Sequence, residues 1–163
     1  MKNQEPLFAV PDFSLASSGG ETFSLSSFGD GFLVLYFYPR DFTPGCTSEA
    51  MAFKELYPRF QELGLSVFGV SRDSVSSHEK FLAKLDLPFA LLSDPEALSA
   101  HLFGVMKEKT NFGKKALGIE RSTFLLDGRG RVWRAWRRVK VKDHAALVLQ
   151  ECQKVMDKDH GRA

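Results

Sequence analysis

The sequence predicts an α/β fold in which a central mixed β-sheet is flanked by helices. Strand-length apolar runs alternate with amphipathic helical segments, and a late hairpin signal is followed by a closing helix, an order typical of such sheets. The length of 163 residues, with 44% hydrophobic residues, suits one globular domain. We find no internal repeat and no long linker, and we therefore expect a single domain spanning residues 1–163.

A hairpin and a central strand are predicted to begin the chain. Phe8–Leu15 and Glu21–Leu25 flank a Ser-Ser-Gly-Gly turn and predict an N-terminal β-hairpin. The unbroken apolar run Phe32–Tyr38 is typical of a strand that is covered on both faces, and therefore of a central position in the sheet. Pro39 ends this strand.

A long amphipathic helix is predicted to follow, from Pro44 to about Leu63. Its apolar residues recur at three- and four-residue steps, as one buried helix face requires. A proline inside a helix removes a backbone donor and crowds the preceding turn, so we expect a bend near Pro58.

The rest of the chain continues the alternation of strands and helices. Capping residues, turn signals and apolar periodicity locate these elements. In chain order they are a strand at Leu65–Val70, a helix at Ser74–Leu85, a strand at Phe89–Leu92, a short helix at Glu96–Phe103, a hairpin formed by Ser122–Leu126 and Arg131–Trp136, and a closing helix at Lys142–Met156. Between them, Lys107–Gly118 predicts a mobile surface loop, and the alternation at Arg138–Val141 predicts a strand with one solvated face.

Charge and cysteine content argue against several classes of protein. The formal net charge of +2 provides no overall drive toward nucleic acid or an anionic membrane. The basic stretch Arg129–Lys142 accompanies no recognisable nucleic-acid-binding module. No stretch approaches the roughly 20 apolar residues of a membrane span, and Met1–Phe8 lacks the pattern of a signal peptide.

The two cysteines form no C-x-x-C pair and no disulfide framework, which suits a reducing compartment. We therefore expect a cytoplasmic protein. The four histidines lack metal-ligand spacing, and we expect neither a metal nor another cofactor.

The most informative residue is Cys46, which lies where the central strand has ended and the long helix begins. Free N–H groups of a first helical turn and the positive end of the helix dipole both favour a thiolate over a thiol. The alternative is a core cysteine that packs as a small hydrophobic residue. The neighbouring Pro44 and Gly45 provide a polar setting and favour the reactive thiolate.

Pro39, Thr43 and Cys46 match the P-x-x-x-T-x-x-C signature of the peroxiredoxins. The string FYPRDFTPGCTSEA resembles the bacterioferritin comigratory protein, or peroxiredoxin Q, subfamily, and so do PDFSL, LLSDPE, GIERSTFLLDGRGRV and WRRVKVKDH in the same order. The resemblance spans roughly residues 8 to 150 and implies a thioredoxin-like fold.

The resemblance also implies a role for each matching residue. Cys46 would attack a hydroperoxide, the Thr43 hydroxyl and the Cys46 N–H would hold the peroxide oxygens, and Pro39 would shield the pocket from water. Arg121 would stabilise the thiolate and the transition state, a role that rests on the GIERSTF match, since the spacing alone favours a solvated arginine at a strand start. Glu49 either orients a guanidinium or is an acid that favours the helix dipole. Thr43 taken alone is an ordinary N-terminal cap.

This chain departs from the subfamily at the position of the resolving cysteine. Many members carry it five residues after the first cysteine, where this chain has Met51, which we interpret as a packing residue. Without a partner at position 51 the helix has no need to unwind, so we expect a folded sulfenic acid state. Cys152, in the closing helix, is the other candidate resolving residue, but its apolar neighbours favour a packed cysteine.

We therefore expect a thiol-dependent peroxidase that acts on hydrogen peroxide and organic hydroperoxides by a one-cysteine cycle. An external thiol, from thioredoxin, glutaredoxin or glutathione, would reduce the sulfenic acid. The chain is expected to be a monomer or a weak homodimer. The alternative is a thioredoxin-fold redox sensor or chaperone-like binding protein, in which Cys46 oxidises without turnover.

Overall fold

The computed structural model describes residues 5–160, apart from the side chains of Asn111 and of residues 158–160. The strands within this range are β1 (Phe8–Ala9), β2 (Ser14–Ser17), β3 (Thr22–Ser24), β4 (Phe32–Phe37), β5 (Ser66–Ser71), β6 (Leu91–Ser93), β7 (Met106–Asn111), β8 (Lys114–Ile119), β9 (Ser122–Asp127) and β10 (Arg131–Trp136). The α-helices within it are α1 (Pro44–Glu62), α2 (Val75–Leu85), α3 (Leu98–Leu102) and α4 (His144–His160).

Eight of these strands form one mixed sheet in the order β1-β10-β9-β4-β5-β6-β2-β3. The strands β4, β5 and β6 are parallel, whereas β9 runs antiparallel to β4. The predicted α/β architecture with a central mixed sheet is therefore confirmed. The register of the β4–β9 pair matters most for function, because Phe37 at the end of β4 lies opposite Ser122 at the start of β9.

The central strand β4 is buried on both faces, as its apolar run predicts. Val34 and Tyr36 belong to a core that also holds side chains of α1, α2 and α4. Leu33, Leu35 and Phe37 point to a second core, which contains side chains of α3 and the N-terminal strands. Alternate residues of one strand thus anchor both cores, and this double burial explains why β4 lies in the middle of the sheet.

The predicted hairpins are present with shifted bounds. Strands β2 and β3 pair with Leu15 opposite Phe23, and β9 pairs with β10. Phe8 leaves the N-terminal hairpin and pairs with Val132 of β10 instead. Helix α1 runs through Pro58, and its predicted bend stays a prediction. The single-domain prediction covers residues 1–163, and residues 1–4 and 161–163 lie outside the described range.

Two predictions about the second half of the chain are wrong. The predicted loop Lys107–Gly118 is a hairpin, in which β7 and β8 are joined by Phe112 and Gly113. Both of these residues have positive φ, 53° and 78°, which suits a two-residue hairpin turn but is rare for phenylalanine, so the turn carries no usual sequence signal. The segment Arg138–Val141 is not a strand, because Arg138 has φ 52° and breaks the extended backbone.

None of the helices between residues 5 and 160 combines the length and the apolar character that crossing a membrane would take.

Candidate active site

The site is built around the start of α1, directly after the carboxyl end of β4. Cys46 is the third residue of this helix, and the first helical hydrogen bond runs from the Thr47 N–H to the Thr43 carbonyl at 2.9 Å. The N–H groups of Gly45 and Cys46 come before that bond, so they have no acceptor within the helix, and they lie at the positive end of the helix dipole. Cys46 is 1% exposed. Burial alone would also suit a packed cysteine, so its polar contacts decide what it can do.

Arg121 provides the decisive contact. Its Nη2 lies 3.5 Å from the Cys46 Sγ, and its Nη1 donates to Glu49 Oε1 at 2.8 Å. The antiparallel register of β4 and β9 explains the approach, since Arg121 directly precedes Ser122, which faces Phe37. Gly45 permits it, because a Cβ at this position would lie 3.1 Å from Arg121 Nη2. The prediction of a solvated arginine therefore does not describe this residue, whose side chain is 17% exposed.

Glu49 is the buried counterpart of Arg121. Its side chain is 1% exposed, and burial raises its pKa to about 7, although the nearby Arg121 charge and hydrogen bond oppose that rise. Burial alone would lower the pKa of Arg121, but the charges of Glu49 and Cys46 outweigh it and raise that pKa. Of the two interpretations of Glu49, this geometry matches orientation of a guanidinium, because Glu49 contacts Arg121 in the interior.

Thr43 and Pro39 line an open cavity of about 550 Å³ beside the start of α1. The Thr43 hydroxyl donates its hydrogen to the Arg40 carbonyl at 2.8 Å. The oxygen lone pairs of Thr43 are thereby left to accept a hydrogen bond from a molecule in the cavity. Thr43 is the N-terminal cap residue of α1 by position, but its side chain makes no capping bond to the helix.

Sequence reasoning missed several residues of this region. Leu117 and Ile119 of β8 form another wall of the cavity, and the sequence predicts a loop where most of their hairpin lies. Asp41, beside Arg40 in the chain, is buried and bonds to His78 of α2. One feature of the sequence indicates this pair: His78 lies on the same face of the predicted helix as the apolar Phe81, and a buried histidine needs a hydrogen-bond partner.

Asp41, Asp73 and His78 bring ligand-type atoms within 4.8 Å of one another. These atoms are engaged in hydrogen bonds: Asp41 accepts from Tyr38 and His78, and Asp73 accepts from Ser71. Internal hydrogen bonds thus account for the cluster.

Cys152 and Met51 lie in contrasting environments. Cys152 is fully buried in the core that contains α1 and α4, and burial raises the pKa of its thiol to about 12. The sequence expectation of a packed cysteine matches this burial. Met51 is 41% exposed on α1, so its interpretation as a packing residue is wrong. The helical period turns position 51 away from the buried face that holds Ala50 and Phe53.

Comparisons with known proteins agree with this geometry. The model of the AhpC/TSA family matches residues 8–135. Peroxiredoxin Bcp of Bacillus subtilis is 50% identical over 149 residues, which cover 91% of this chain and 95% of that protein. Peroxiredoxin Bcp of Xanthomonas campestris is 50% identical over 141 residues, which cover 86% of this chain and 88% of that protein.

Solved structures lead to the same group of proteins. A structure of the Xanthomonas campestris bacterioferritin comigratory protein, concerned with its alkyl peroxide reduction activity, has a TM-score of 0.88 and 44% identity, and the match covers 93% of this chain and 99% of that one. Peroxidoxin BcpB of Mycobacterium tuberculosis has a TM-score of 0.81 and 32% identity, with 94% and 99% covered. The chain therefore belongs to the AhpC/TSA family and, within it, to the peroxiredoxins of the bacterioferritin comigratory protein and peroxiredoxin Q type.

Proposed function

We propose that this protein is a thiol-dependent peroxidase that reduces hydrogen peroxide and organic hydroperoxides through Cys46. The observation that carries the proposal is the guanidinium of Arg121 against the sulfur of a cysteine in a first helical turn. Both features place positive charge beside the sulfur. The family supports the assignment, and the Xanthomonas campestris relative is described as reducing alkyl peroxides.

The reaction begins with attack of the Cys46 thiolate on the terminal oxygen of the hydroperoxide. A sulfur–oxygen bond forms as the oxygen–oxygen bond breaks, so the sulfur is oxidised to a sulfenic acid and the peroxide is reduced. The departing oxygen leaves as an alkoxide or hydroxide and takes a proton from solvent to become an alcohol or water. Negative charge moves from sulfur to the departing oxygen, and preset donors lower the barrier where that charge develops.

Four other residues and the backbone N–H of Cys46 support this step in our proposal. Thr43, whose own hydrogen bonds Arg40, accepts the hydrogen bond of the peroxide O–H. Arg121 and the backbone N–H of Cys46 stabilise the negative charge. Glu49 holds the Arg121 guanidinium in place by its 2.8 Å contact and is a positioning residue. Pro39 forms an apolar part of the cavity wall and limits the access of water.

We further propose a one-cysteine cycle. An external thiol attacks the sulfenic sulfur and releases water, and a second thiol reduces the resulting mixed disulfide. Cys152 is a poor resolving residue because its thiol is buried and has a pKa of about 12. At neutral pH very few molecules would therefore carry the Cys152 thiolate that has to attack. Met51 has no thiol to contribute.

The remaining features of the proposal concern the surroundings of the enzyme. Thioredoxin, glutaredoxin and glutathione are the candidate reductants, because each presents a thiol that can attack a sulfenic acid. Two free cysteines suit the cytoplasm, a reducing compartment. We propose that the chain acts as one domain, as a monomer or a weak homodimer.

Intact-mass spectrometry after one equivalent of peroxide tests the chemistry. We expect one added oxygen on the wild type and on Cys152→Ser, and none on Cys46→Ser. Loss of two hydrogens, abolished by Cys152→Ser, would show that an internal disulfide forms instead. Steady-state peroxide consumption with a thiol donor tests turnover, since a redox sensor would oxidise once and stop.

A further inference from the structure

A buried network ties the loop before Cys46 to two neighbouring elements. The Asp41 carboxylate accepts hydrogen bonds from the Tyr38 hydroxyl at 2.6 Å, from the Ser77 hydroxyl at 2.8 Å and from His78 Nδ1 at 2.7 Å. The Asp41 N–H donates to Asp73 Oδ2 at 2.9 Å. One residue of the loop is thereby bonded to Tyr38 directly after β4, to the first turn of α2 and to the turn after β5.

Asp41 and His78 form a hydrogen-bonded pair in the interior. Asp41 is 3% exposed and His78 is fully buried. His78 Nε2 lies 2.9 Å from the Leu92 carbonyl, so both ring nitrogens face oxygen atoms that can accept a hydrogen bond. Burial would raise the pKa of Asp41, but its hydrogen bonds, that from His78 first, outweigh burial and lower it. The Asp41 carboxylate and the His78 ring are thus held together in the interior by a short hydrogen bond.

The residues that follow Asp41 depend on this anchor. Phe42 has φ 64°, a backbone conformation that residues other than glycine rarely adopt. Its ring packs edge-on against the ring of Phe81, with the two ring centroids 5.1 Å apart. Thr43 comes next and faces the cavity with its hydroxyl bonded to Arg40. Thr43 therefore lies between an anchored residue and the start of helix α1, and its hydroxyl is bonded within the same loop.

We propose that Asp41 and His78 are positioning residues for peroxide reduction, which act by holding the Pro39–Thr43 loop so that Thr43 can accept the hydroperoxide O–H. The inference rests on the proposed peroxidase function. Neither side chain touches the reacting atoms. Because they act through the position of Thr43, their loss should slow the reaction of Cys46 with peroxides. It should leave unchanged those reactions of Cys46 that do not use Thr43.

That specificity provides the test. Asp41→Asn keeps the shape of the side chain but replaces one acceptor oxygen with an amide nitrogen, which cannot accept hydrogen bonds from Ser77 and His78. The second-order rate constants of Cys46 with hydrogen peroxide and with iodoacetamide are measured for each variant. We expect the peroxide constant to fall about 10- to 100-fold, as a misplaced reacting group predicts. The iodoacetamide constant should stay within about twofold, because the contact with Arg121 and the helix start are intact.

His78→Gln should lower the ratio of the peroxide rate constant to the iodoacetamide rate constant, as Asp41→Asn does. In the double variant this ratio should be little lower than in either single variant, because the two residues act as one unit. The matched control is Asp127→Asn. Asp127 is also buried and bonded, to Arg131 and Trp133, but it lies opposite Phe32 at the far end of β4. Its variant should lose stability and keep the wild-type ratio of rate constants.

If Asp41→Asn does not fold, Tyr38→Phe decides the matter, since it removes a single hydroxyl donor from the network and should lower the ratio about threefold. A folded Asp41→Asn or Tyr38→Phe protein with the wild-type ratio overturns the positioning role. A wild type that reacts with peroxide no faster than free cysteine overturns the peroxidase proposal instead, so the two failures are distinguishable.

Discussion

The contact between Arg121 and Cys46 leads to a quantitative prediction for Arg121→Lys. The guanidinium reaches two partners at once, Glu49 Oε1 at 2.8 Å and Cys46 Sγ at 3.5 Å, from two different nitrogens. Lysine has one nitrogen and cannot occupy both positions. The buried carboxylate of Glu49 provides the stronger contact, so the lysine should pair with it and leave the sulfur and the departing peroxide oxygen without this donor.

The size of the effect follows from the loss of one preset donor. Such losses cost about 10²- to 10³-fold in rate. The 3.5 Å contact is longer than a strong charge-assisted bond, so we expect the lower end, about 100-fold, which corresponds to about 2.7 kcal/mol of transition-state stabilisation.

Rapid mixing with excess hydrogen peroxide, followed by quenching and intact-mass analysis, measures this rate constant. The matched control is Arg131→Lys, since Arg131 also pairs with a carboxylate at 2.8 Å, that of Asp127, at the other end of the sheet. The control should react like the wild type. A folded Arg121→Lys protein whose rate constant lies within about threefold of the wild type would refute the reasoning.

Two further predictions concern the neighbours of Arg121. Burial raises the pKa of Glu49 from 4.5 to about 7, so between these pH values the folded protein holds one more proton than the unfolded chain, and stability falls as pH rises through this window by about 3 kcal/mol in total. Glu49→Gln removes this fall in stability. The stability of the variant should instead rise with pH between 4 and 6.5, because burial lowers the pKa of His144 to about 4. Urea denaturation at pH 5 and pH 7.5 measures the unfolding free energy of variant and wild type, and a difference between them that does not change with pH would contradict the assignment. Gly45→Ala places a Cβ 3.1 Å from Arg121 Nη2 and should slow the reaction with peroxide about threefold to tenfold, as a displaced donor predicts. The melting temperature should change little, because alanine is a better helix former than glycine. An unchanged rate constant would argue against the close approach of Gly45 to Arg121.

Much of the architecture could be read from local patterns. The apolar run of β4, the helical periodicity of α1 and the turn signal between β9 and β10 each predicted an element that the structure contains. These patterns are informative because the repeat of a strand or a helix is written in neighbouring residues. The β7–β8 hairpin escaped prediction because its turn places a phenylalanine at positive φ and most residues of its strands are exposed.

The sequence by itself determined that a cysteine begins a helix after a buried strand, because strand burial, a proline and a helical period are all local properties. Only the tertiary structure decided what surrounds that cysteine. Arg121 lies 75 residues further along the chain and reaches the sulfur through the register of β4 and β9. Asp41 meets His78 because α2 packs beside the loop. Such meetings depend on how distant segments align in the sheet and pack on it, which no local pattern encodes.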